Sequence, residues 1–484
     1  MKHTLVMVYA VFSMAAGLRA QNYHAIQGSS YAGALGLHNN PASIVNTPFK
    51  WDIVLMGAQV TSSTNAFSIR DYSLLSSPAN SLYHVDKGEY KRKANINLNL
   101  NILNARITLN RKSSVAFGVN LRSHTNLKTS QYNFIDTLHN ITNFLDINPG
   151  LDNLNGKLLS SSWMEGYIGY ARTLSDNEFG RLNAGITVRV SRGISGGYAN
   201  VGNISYTSSI QNSRTVYTAN AADVIYGYSS NYDRWQSSNS NSQNINNFIS
   251  YTEGGASVDA GVEYIIKPQG TTSFYDDADY YDYDWKLSLS LLDIGGNRYK
   301  YGTQSHIIYS VKNNVINTTL DNKFDSTIGT LKQFNDSMAT LVNGNQAGGR
   351  FTVLNPMRLV ANVDHYLAGN FYINAELSLN IPLSSLKKTY LQVKDINLLT
   401  VTPRWETKRW GVYLPVQYNT QNQFWVGAAF KAGPLLLGFH NLVNFFSKTS
   451  VQNGGGYVAL ILRAPKGGPE GKGDKRLNCP RPVW

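Results

Sequence analysis

The stretch Ala94–Asn110, ANINLNLNILNARITLN, decides the fold class. Four apolar residues alternate in it with four asparagines: Ile96, Leu98, Leu100 and Ile102 against Asn95, Asn97, Asn99 and Asn101. This period of two predicts a β-strand with one apolar face and one amide face. A helix would spread the apolar residues around its axis, and the asparagines would compete with its backbone hydrogen bonds. The apolar set moves to odd positions after Ile102, which a β-bulge would produce.

The length of this strand and the composition of the chain both indicate a membrane barrel. Strands in soluble sheets usually have ~5–6 residues, whereas tilted membrane-spanning strands are longer. Of the 484 residues only 42% are hydrophobic and 15% are charged, and the mean hydropathy is −0.27. The sequence has no apolar run of the ~18 residues that a spanning helix needs. A transmembrane β-barrel hides its apolar residues by alternation and has this kind of composition.

The ends of the chain predict export and a basic tail. Residues 1–20 have a basic start, an apolar core and a small residue at the end, as in a cleaved signal peptide. Residues 464–484 are rich in Gly, Pro and Lys and are expected to form a basic periplasmic tail, which carries the single cysteine, Cys479. Since this cysteine has no partner in the chain, the sequence excludes an internal disulfide.

The net charge of +13 points to anionic partners. For an exported protein we expect no nucleic-acid partner and instead contact with outer-membrane lipid and lipopolysaccharide. Other envelope or secretion proteins are further candidate partners. The expected location is the cell outer membrane.

The alternating pattern recurs about fourteen times between residues 51 and 463, which predicts an all-β, transmembrane antiparallel barrel of about 14 strands. The expected strands lie at 51–61, 94–110, 115–122, 163–173, 182–190, 258–264, 285–291, 351–366, 371–379, 396–406, 410–419, 424–431, 434–446 and 455–463. Short links alternate with long ones at 62–93, 125–162, 198–253 and 297–350. Short turns face the periplasm in such barrels and long loops face outward.

Residues 21–50 are expected to form a short N-terminal plug or hatch inside the barrel. The segment is rich in Gly, Ala and Ser, which suits close packing in a lumen, and it contains the motif Asn40-Pro41-Ala42. Pro41 after an asparagine is suited to the first turn of a short helix.

If the apolar faces contact lipid, nine charged residues face the lumen. They are Arg122, Glu165, Arg189, Asp259, Glu263, Lys286, Arg358, Glu376 and Arg404. The signs nearly balance, which indicates ion pairing across a filled or narrow lumen rather than an ion-selective pore.

Enzymatic signals are weak. Gly193–Gly197 matches the G-x-S-x-G nucleophile elbow, but no helix is predicted after it. Asp364 and His365 lack a serine that the sequence could assign to them. The acidic run from Asp276 to Asp284 lacks the glycine of an EF-hand. We expect no catalytic residues, no metal site and no cofactor.

Taken together, these features resemble a known group of proteins. The signal peptide, the stretch AIQGSSYAGALGLHNNPASIVNTPFKWDI at 25–53, the long strands and the final GGGYVALILR at 454–463 resemble outer-membrane barrels related to FadL-type fatty-acid transporters and PorV-type secretion subunits. The closer likeness is to an uncharacterised branch that begins with the Asn-Pro-Ala segment. The resemblance implies a barrel of fourteen strands with a small hatch. It implies first a non-enzymatic scaffold or secretion-associated barrel, with a transporter of small hydrophobic or amphipathic solutes as the alternative.

Overall fold

A computed structural model describes residues 23–70, 82–136, 138, 140–149, 153–268, 283–325, 327–383, 390–446 and 452–465. The predicted signal peptide, the tail beyond residue 465 with Cys479, and the acidic run apart from Asp284 lie outside the described residues. Within the described ranges, no helix is both long enough and apolar enough to cross a membrane.

Fourteen strands form the barrel, and each corresponds to one of the strands predicted from the sequence. They are β1 Phe49–Thr64, β2 Gly88–Asn110, β3 Ser113–Phe134, β4 Leu154–Asp176, β5 Gly180–Gln211, β6 Gly254–Ile266, β7 Trp285–Lys300, β8 Arg350–Leu354 with Arg358–Ala368, β9 Phe371–Asn380, β10 Leu398–Glu406, β11 Trp410–Tyr413 with Val416–Asn419, β12 Phe424–Val426 with Ala428–Ala432, β13 Leu435–Phe439 and β14 Asn453–Pro465.

Each strand pairs antiparallel with the next, and β1 pairs with both β2 and β14, so the sheet closes on itself. Closure leaves no unpaired sheet edge, which a membrane-spanning sheet requires. The prediction of a 14-stranded transmembrane β-barrel is therefore confirmed.

Strand β2 shows how the sequence sets the two faces. Asn95, Asn97 and Asn101 are buried on the inside, whereas Ile102 is exposed on the outside. The register against β3 shifts between Asn101 and Leu103, so the predicted bulge is present. Beyond it the inward positions are Asn104 and Arg106.

The long-loop end is more ordered than the sequence suggested. The expectation that 198–253 is one long link is wrong, because the alternation continues with polar residues and β5 runs to Gln211. A further strand, Arg214–Tyr228, pairs with this extension and with His306–Val311, which in turn pairs with Val342–Gln346. Other elements at this end are a hairpin of Phe67–Arg70 and Leu82–Val85, the short strand Leu391–Gln392, the 3₁₀-helix Ser230–Arg234 and the α-helices α1 Ile141–Asp146, α2 Asn241–Ser250, α3 Asn317–Lys323, α4 Leu331–Leu341 and α5 Val443–Phe446.

Candidate functional site

The N-terminal segment, residues 23–47, lies against the inward faces of the strands. Its three 3₁₀-helices are His24–Ile26, Gly33–His38 and Pro41–Ile44. The second contacts β1 and β2, and the third contacts β3 to β6. Leu35, Leu37 and Ile44 are at most 2% exposed. A segment without strand pairing is therefore packed from several sides of the barrel.

The Asn40-Pro41-Ala42 motif is seated on a pair of glycines. Gly185 of β5 and Gly261 of β6 lie opposite each other in the register. A Cβ at Gly185 would lie 2.5 Å from the carbonyl carbon of Pro41, and a Cβ at Gly261 would collide with the Asn40 amide. Asn40 caps the third 3₁₀-helix, since its side chain accepts from the Ala42 N–H at 2.9 Å, and its Nδ2 donates to the Val262 carbonyl at 3.0 Å. The position of the motif therefore depends on its own residues and on the absence of side chains at Gly185 and Gly261 of the barrel wall.

A buried ion pair clamps the same segment near the short-turn end. Arg106 Nε donates to Asp52 Oδ2 at 2.5 Å, and both side chains are 0% exposed. Asp52 Oδ1 accepts from the Ala34 N–H at 2.6 Å, and the Arg106 guanidinium also donates to the carbonyls of Ile44 and Phe49. Because an unpaired buried charge is strongly unfavourable, each partner needs the other and the segment between them.

The opposite wall supplies further charged anchors. Ser29 Oγ donates to Glu406 Oε2 at 2.7 Å, and Asn39 Nδ2 donates to Glu376 Oε2 at 2.6 Å. Lys286 Nζ lies 3.3 Å from Ser30 Oγ. Hydrogen bonds to charged groups are stronger than neutral ones, so these contacts hold the segment firmly.

All nine charged residues proposed for the lumen are buried. Their exposed fractions are Arg122 6%, Glu165 1%, Arg189 2%, Asp259 0%, Glu263 3%, Lys286 3%, Arg358 3%, Glu376 2% and Arg404 3%. They do not converge on one point. Glu376 and Lys286 contact the N-terminal segment, Arg404 pairs with Asp364 at 2.6 Å, and Glu263 accepts from the Asn183 amide at 3.2 Å.

Four of the nine belong to a network in the middle of the barrel. Arg122 makes a two-pronged contact with Asp293, at 2.5 and 2.8 Å, and Glu165 lies 3.1 Å from Arg189. Arg189 also pairs with Asp259. Arg189 thus pairs with residues of the two neighbouring strands, whereas the contact between Arg122 and Asp293 joins β3 to β7.

A small cavity remains beside the network. It has a volume of about 10 Å³, room for about one water molecule. His38, Asn99 and Arg358 contribute to its lining. Burial, with the positive charges of Arg189 and Arg122, holds the pKa of His38 well below its ordinary value of 6.5. Neutral His38 can then accept at Nε2 from the amide of Asn104, 3.3 Å away.

A second part of the chain enters the barrel from the long-loop end. The crossing segment, residues 391–397, leads from the loop after β9 to β10 but contacts the opposite wall. Asn95 and Asn97 of β2 donate to the Lys394 carbonyl at 3.0 Å and to Asp395 Oδ1 at 2.6 Å. Asn126 of β3 bonds to the Lys394 backbone in both directions. Arg358, in β8, lies 3.3 Å from Asp395.

The crossing segment places Leu391 and Val393 in an aromatic pocket. The pocket is defined by Trp163, Tyr198, Tyr299, Tyr301 and Phe351, which cluster with the half-buried Leu391 and the fully buried Val393. The Phe351 ring lies 5.3 Å from the Tyr299 ring and 4.8 Å from the Tyr301 ring. The long-loop end of the lumen is therefore closed by an apolar contact.

The amide face of β2 thus serves both closing segments. Asn101 accepts from the Tyr23 hydroxyl at 2.8 Å, Asn95 and Asn97 hold the crossing segment, and Asn99 between them faces the cavity. The alternation in the sequence predicts that these asparagines share one face, but it does not identify their partners.

Several buried ionic residues were not identified from the sequence. They are Asp52, Arg106, Asp293, Asp364, Glu406 and Lys431, and the partly buried Asp395 was missed as well. Strand parity could have found Asp52 and Arg106, since each stands between two outward-facing residues. Asp293 faces inward only because of a register shift between Leu291 and Ile294.

The residues of the weak catalytic motifs make structural contacts. Gly193 and Gly196 lie within β5 and leave room for the Tyr299 ring, which a Cβ at either would approach within 2.8 Å. Asp364 pairs with Arg404, while His365 stacks on Trp285 at 3.9 Å between ring centres. Among the described residues, no group of three or more potential metal ligands is found.

Comparisons with known proteins give one family and several remote structures. No curated protein matches the sequence. The chain is similar to the toluene transporter TbuX of Ralstonia pickettii (11% identity, 89% of this chain and 92% of that chain covered, TM-score 0.36). It is also similar to a Pseudomonas aeruginosa FadL homologue (12%, 92% and 96%, TM-score 0.39) and to the toluene transporter TodX of P. putida (10%, 89% and 93%, TM-score 0.39). Likenesses this remote support no inference about ligand or mechanism.

A family model, described as a family of unknown function (DUF5723), matches residues 41–440. The match begins at Pro41 of the Asn40-Pro41-Ala42 motif and extends over strands β1 to β13. The chain, a closed β-barrel of fourteen strands, belongs to this family.

Proposed function

We propose that the protein is a gated transporter that admits a small hydrophobic or amphipathic solute through the long-loop end of the barrel. The observation that carries the proposal is the aromatic pocket that holds Leu391 and Val393. Two aliphatic side chains of the chain's own crossing segment occupy the place that an apolar solute would take.

The pocket has the chemistry of a site for apolar ligands. Its polar atoms bond to one another or to the wall, because the hydroxyls of Tyr198 and Tyr301 lie 2.7 Å apart and the Tyr299 hydroxyl lies 2.7 Å from Ser161 Oγ. The surface presented to Val393 is therefore mostly ring carbon. Apolar pockets with a few satisfied polar groups are typical ligand sites.

The bonds of the crossing segment favour reversible displacement. Asn95, Asn97 and Asn126 hold it through amides, and Asp395 lies 3.3 Å from Arg358. Its backbone pairs with β8 over only two residues, Leu391 and Gln392. The neutral hydrogen bonds each contribute only about 0.5–1.5 kcal/mol, and the bond from Asn97 to the Asp395 carboxylate contributes about 1.5–3 kcal/mol. A solute that buries more apolar surface than Leu391 and Val393 can then compete for the pocket.

A scaffold or secretion-associated barrel without transport is the second candidate. It is favoured by the closure of the lumen from both ends around a cavity of about 10 Å³. In that case the charged network and both segments serve stability, and the pocket never exchanges its occupants.

Binding of naphthalene to the protein in lipid nanodiscs separates the two candidates. The variant Leu391→Ser/Val393→Ser removes the competing side chains. If the protein is a transporter, this variant should bind naphthalene at least ~10-fold more tightly than wild type, a difference of about 1.4 kcal/mol in binding free energy. The matched control, Leu331→Ser/Val443→Ser, changes exposed residues outside the pocket and should bind like wild type.

A third variant tests whether any increase in naphthalene affinity arises in the aromatic pocket. Phe351→Ser added to the first variant should abolish the increase, because it removes the ring at the centre of the aromatic contacts. Equal binding by the first variant and the control would reject the transporter and leave the scaffold. Nanodiscs without protein correct for naphthalene dissolved in lipid.

A further inference from the structure

The outward face of the barrel changes from apolar to basic within one row of residues near the long-loop end. The apolar row is Val190, Ala256, Gly296 and Leu354, which are paired across β5, β6, β7 and β8. The next row toward the long-loop end is Arg192, Gly254, Arg298 and Thr352. Lys300 and Arg350, paired with each other, follow one row further.

We propose that Arg192, Arg298, Lys300 and Arg350 form a basic patch that binds a phosphorylated glycolipid of the outer leaflet, the lipid A part of lipopolysaccharide. The patch lies where lipid headgroups meet the apolar band if the long loops face outward, as in other outer-membrane barrels. The proposal does not depend on the proposed transport function.

The patch is built for an anion. Arg192 and Arg298 are exposed and flank Gly254, so two guanidinium groups stand on either side of a residue without a side chain. Next-nearest strands lie roughly 10 Å apart, which leaves room for a phosphate between the two arginines. A Cβ at Gly254 would meet nothing closer than 3.8 Å, so the gap is open.

The charges of the patch are poorly neutralised by the protein. Glu253 is the acidic partner among the described residues, 3.1 Å from Arg350 and 3.8 Å from Lys300. Arg192 and Arg298 donate to the backbone carbonyls of Ser250 and Gly254. Lys300 and Arg350 lie directly opposite each other, and this repulsion between like charges is offset only by the single carboxylate of Glu253.

The neighbouring surface suits the lipid that would carry the phosphate. Helix α2 exposes Ile245 and Ile249, 54% and 48% respectively, beside Tyr251 at 69%. The Arg234 guanidinium lies 4.2 Å from the centre of the Tyr251 ring. Aromatic and aliphatic residues with basic neighbours are typical of the membrane interface. Charge and apolar exposure together favour a glycolipid over a soluble anion.

The test measures binding of lipid A to the purified full chain, freed of lipopolysaccharide, by native mass spectrometry. Wild type should bind lipid A and should bind dephosphorylated lipid A at least ~10-fold more weakly, since removing the phosphates removes the negative charge that attracts the basic residues. The variant Arg192→Gln/Arg298→Gln should lose a similar factor. The variant Arg192→Lys/Arg298→Lys keeps the charges and should retain most of the binding.

The control Arg111→Gln/Lys112→Gln removes two exposed cations at the opposite end of the barrel and should bind lipid A like wild type. Heat-modifiable gel mobility confirms that each variant is folded. Unchanged binding by Arg192→Gln/Arg298→Gln, or equal binding of dephosphorylated lipid A, would overturn the proposal. Equally strong competition by inorganic phosphate would assign the patch to a soluble anion instead.

Discussion

The two segments that pack against the inner wall of the barrel, residues 23–47 and 391–397, are held in different ways. The N-terminal segment contacts buried charges, among them Asp52, Arg106 and Glu406, and rests on wall glycines. The crossing segment contacts asparagine amides and Arg358, pairs with β8 over two residues, and inserts Leu391 and Val393 among aromatic rings. Displacing the N-terminal segment would leave buried charges without partners, which carries a large free-energy cost. Displacing the crossing segment breaks mainly hydrogen bonds to neutral amides, which costs less free energy.

This difference assigns different roles to the two ends. We propose that the N-terminal segment is a permanent plug and that the crossing segment is the part that moves. Both contact the same strand, β2, at positions separated by only four residues, Asn97 and Asn101. At roughly 3.4 Å per residue, the two segments are about 14 Å apart along the strand, with the cavity between them.

Removal of the plug should have the largest effect. Deleting residues 23–47 leaves the lipid-facing residues unchanged, so the barrel should still insert, but water should enter the lumen and planar-bilayer recordings should change from background to a steady conductance. The variant Gly185→Leu tests the same point without a deletion, because its side chain occupies the place of Pro41.

The matched control for that variant is Gly166→Leu, at an outward-facing, exposed glycine of β4. It should remain as closed as wild type. If the intact protein already conducts as well as the shortened one, the segment does not close the lumen.

Breaking the clamp of the plug should have the next largest effect. Arg106→Leu leaves the Asp52 carboxylate buried without its cation, which should lower the free energy of unfolding by about 3–5 kcal/mol. Urea titration in detergent, followed by heat-modifiable gel mobility, measures the change. Adding Asp52→Asn should restore part of the loss, since no unpaired charge remains. A loss below about 1 kcal/mol would contradict the clamp.

The sequence predicted the barrel well because parity is a local property. The alternation within each strand shows which residues share a face. The bulge after Asn101 and the inward positions of Arg189 and Glu165 can therefore be predicted from neighbours a few residues away. The same parity would have placed Asp52 and Arg106 inside if it had been applied to every charged residue within a strand.

The crossing segment could not be found in this way. Its contacts join Asp395 to Asn97 and Val393 to Trp163, and nothing local distinguishes a loop that folds inward from one that remains outside. Asp293 was missed for a related reason, because its orientation depends on a register shift at a positive φ of 60°. The polar continuation of β5 was missed because both of its faces are polar and the apolar alternation ends.

Strand β2 allows the two faces to be compared directly. Leu98→Arg places a charge on the lipid side and should cost about 2–4 kcal/mol of unfolding free energy at the bilayer midplane. Asn97→Arg places it on the lumen side, where Asp395 is within reach as a partner, and should cost clearly less. The folded fraction in lipid, read by heat-modifiable gel mobility, compares the two. Equal tolerance would reject the assignment of the faces.

The smallest effect should come from the amides that hold the crossing segment. Asn97→Ala removes a hydrogen bond to the Asp395 carboxylate and Asn95→Ala removes one to a neutral carbonyl, so local opening should become easier by about 1.5–3 and about 0.5–1.5 kcal/mol respectively. Faster hydrogen exchange at residues 391–397, with unchanged exchange at residues 33–44, is the expected result, because local opening does not require the plug to move. Asn99→Ala is the matched control on the same face: its side-chain oxygen has no hydrogen-bond partner, and its loss should leave both segments unchanged. Equal acceleration in both segments would mean that they open together, and the division into a fixed plug and a moving gate would be wrong.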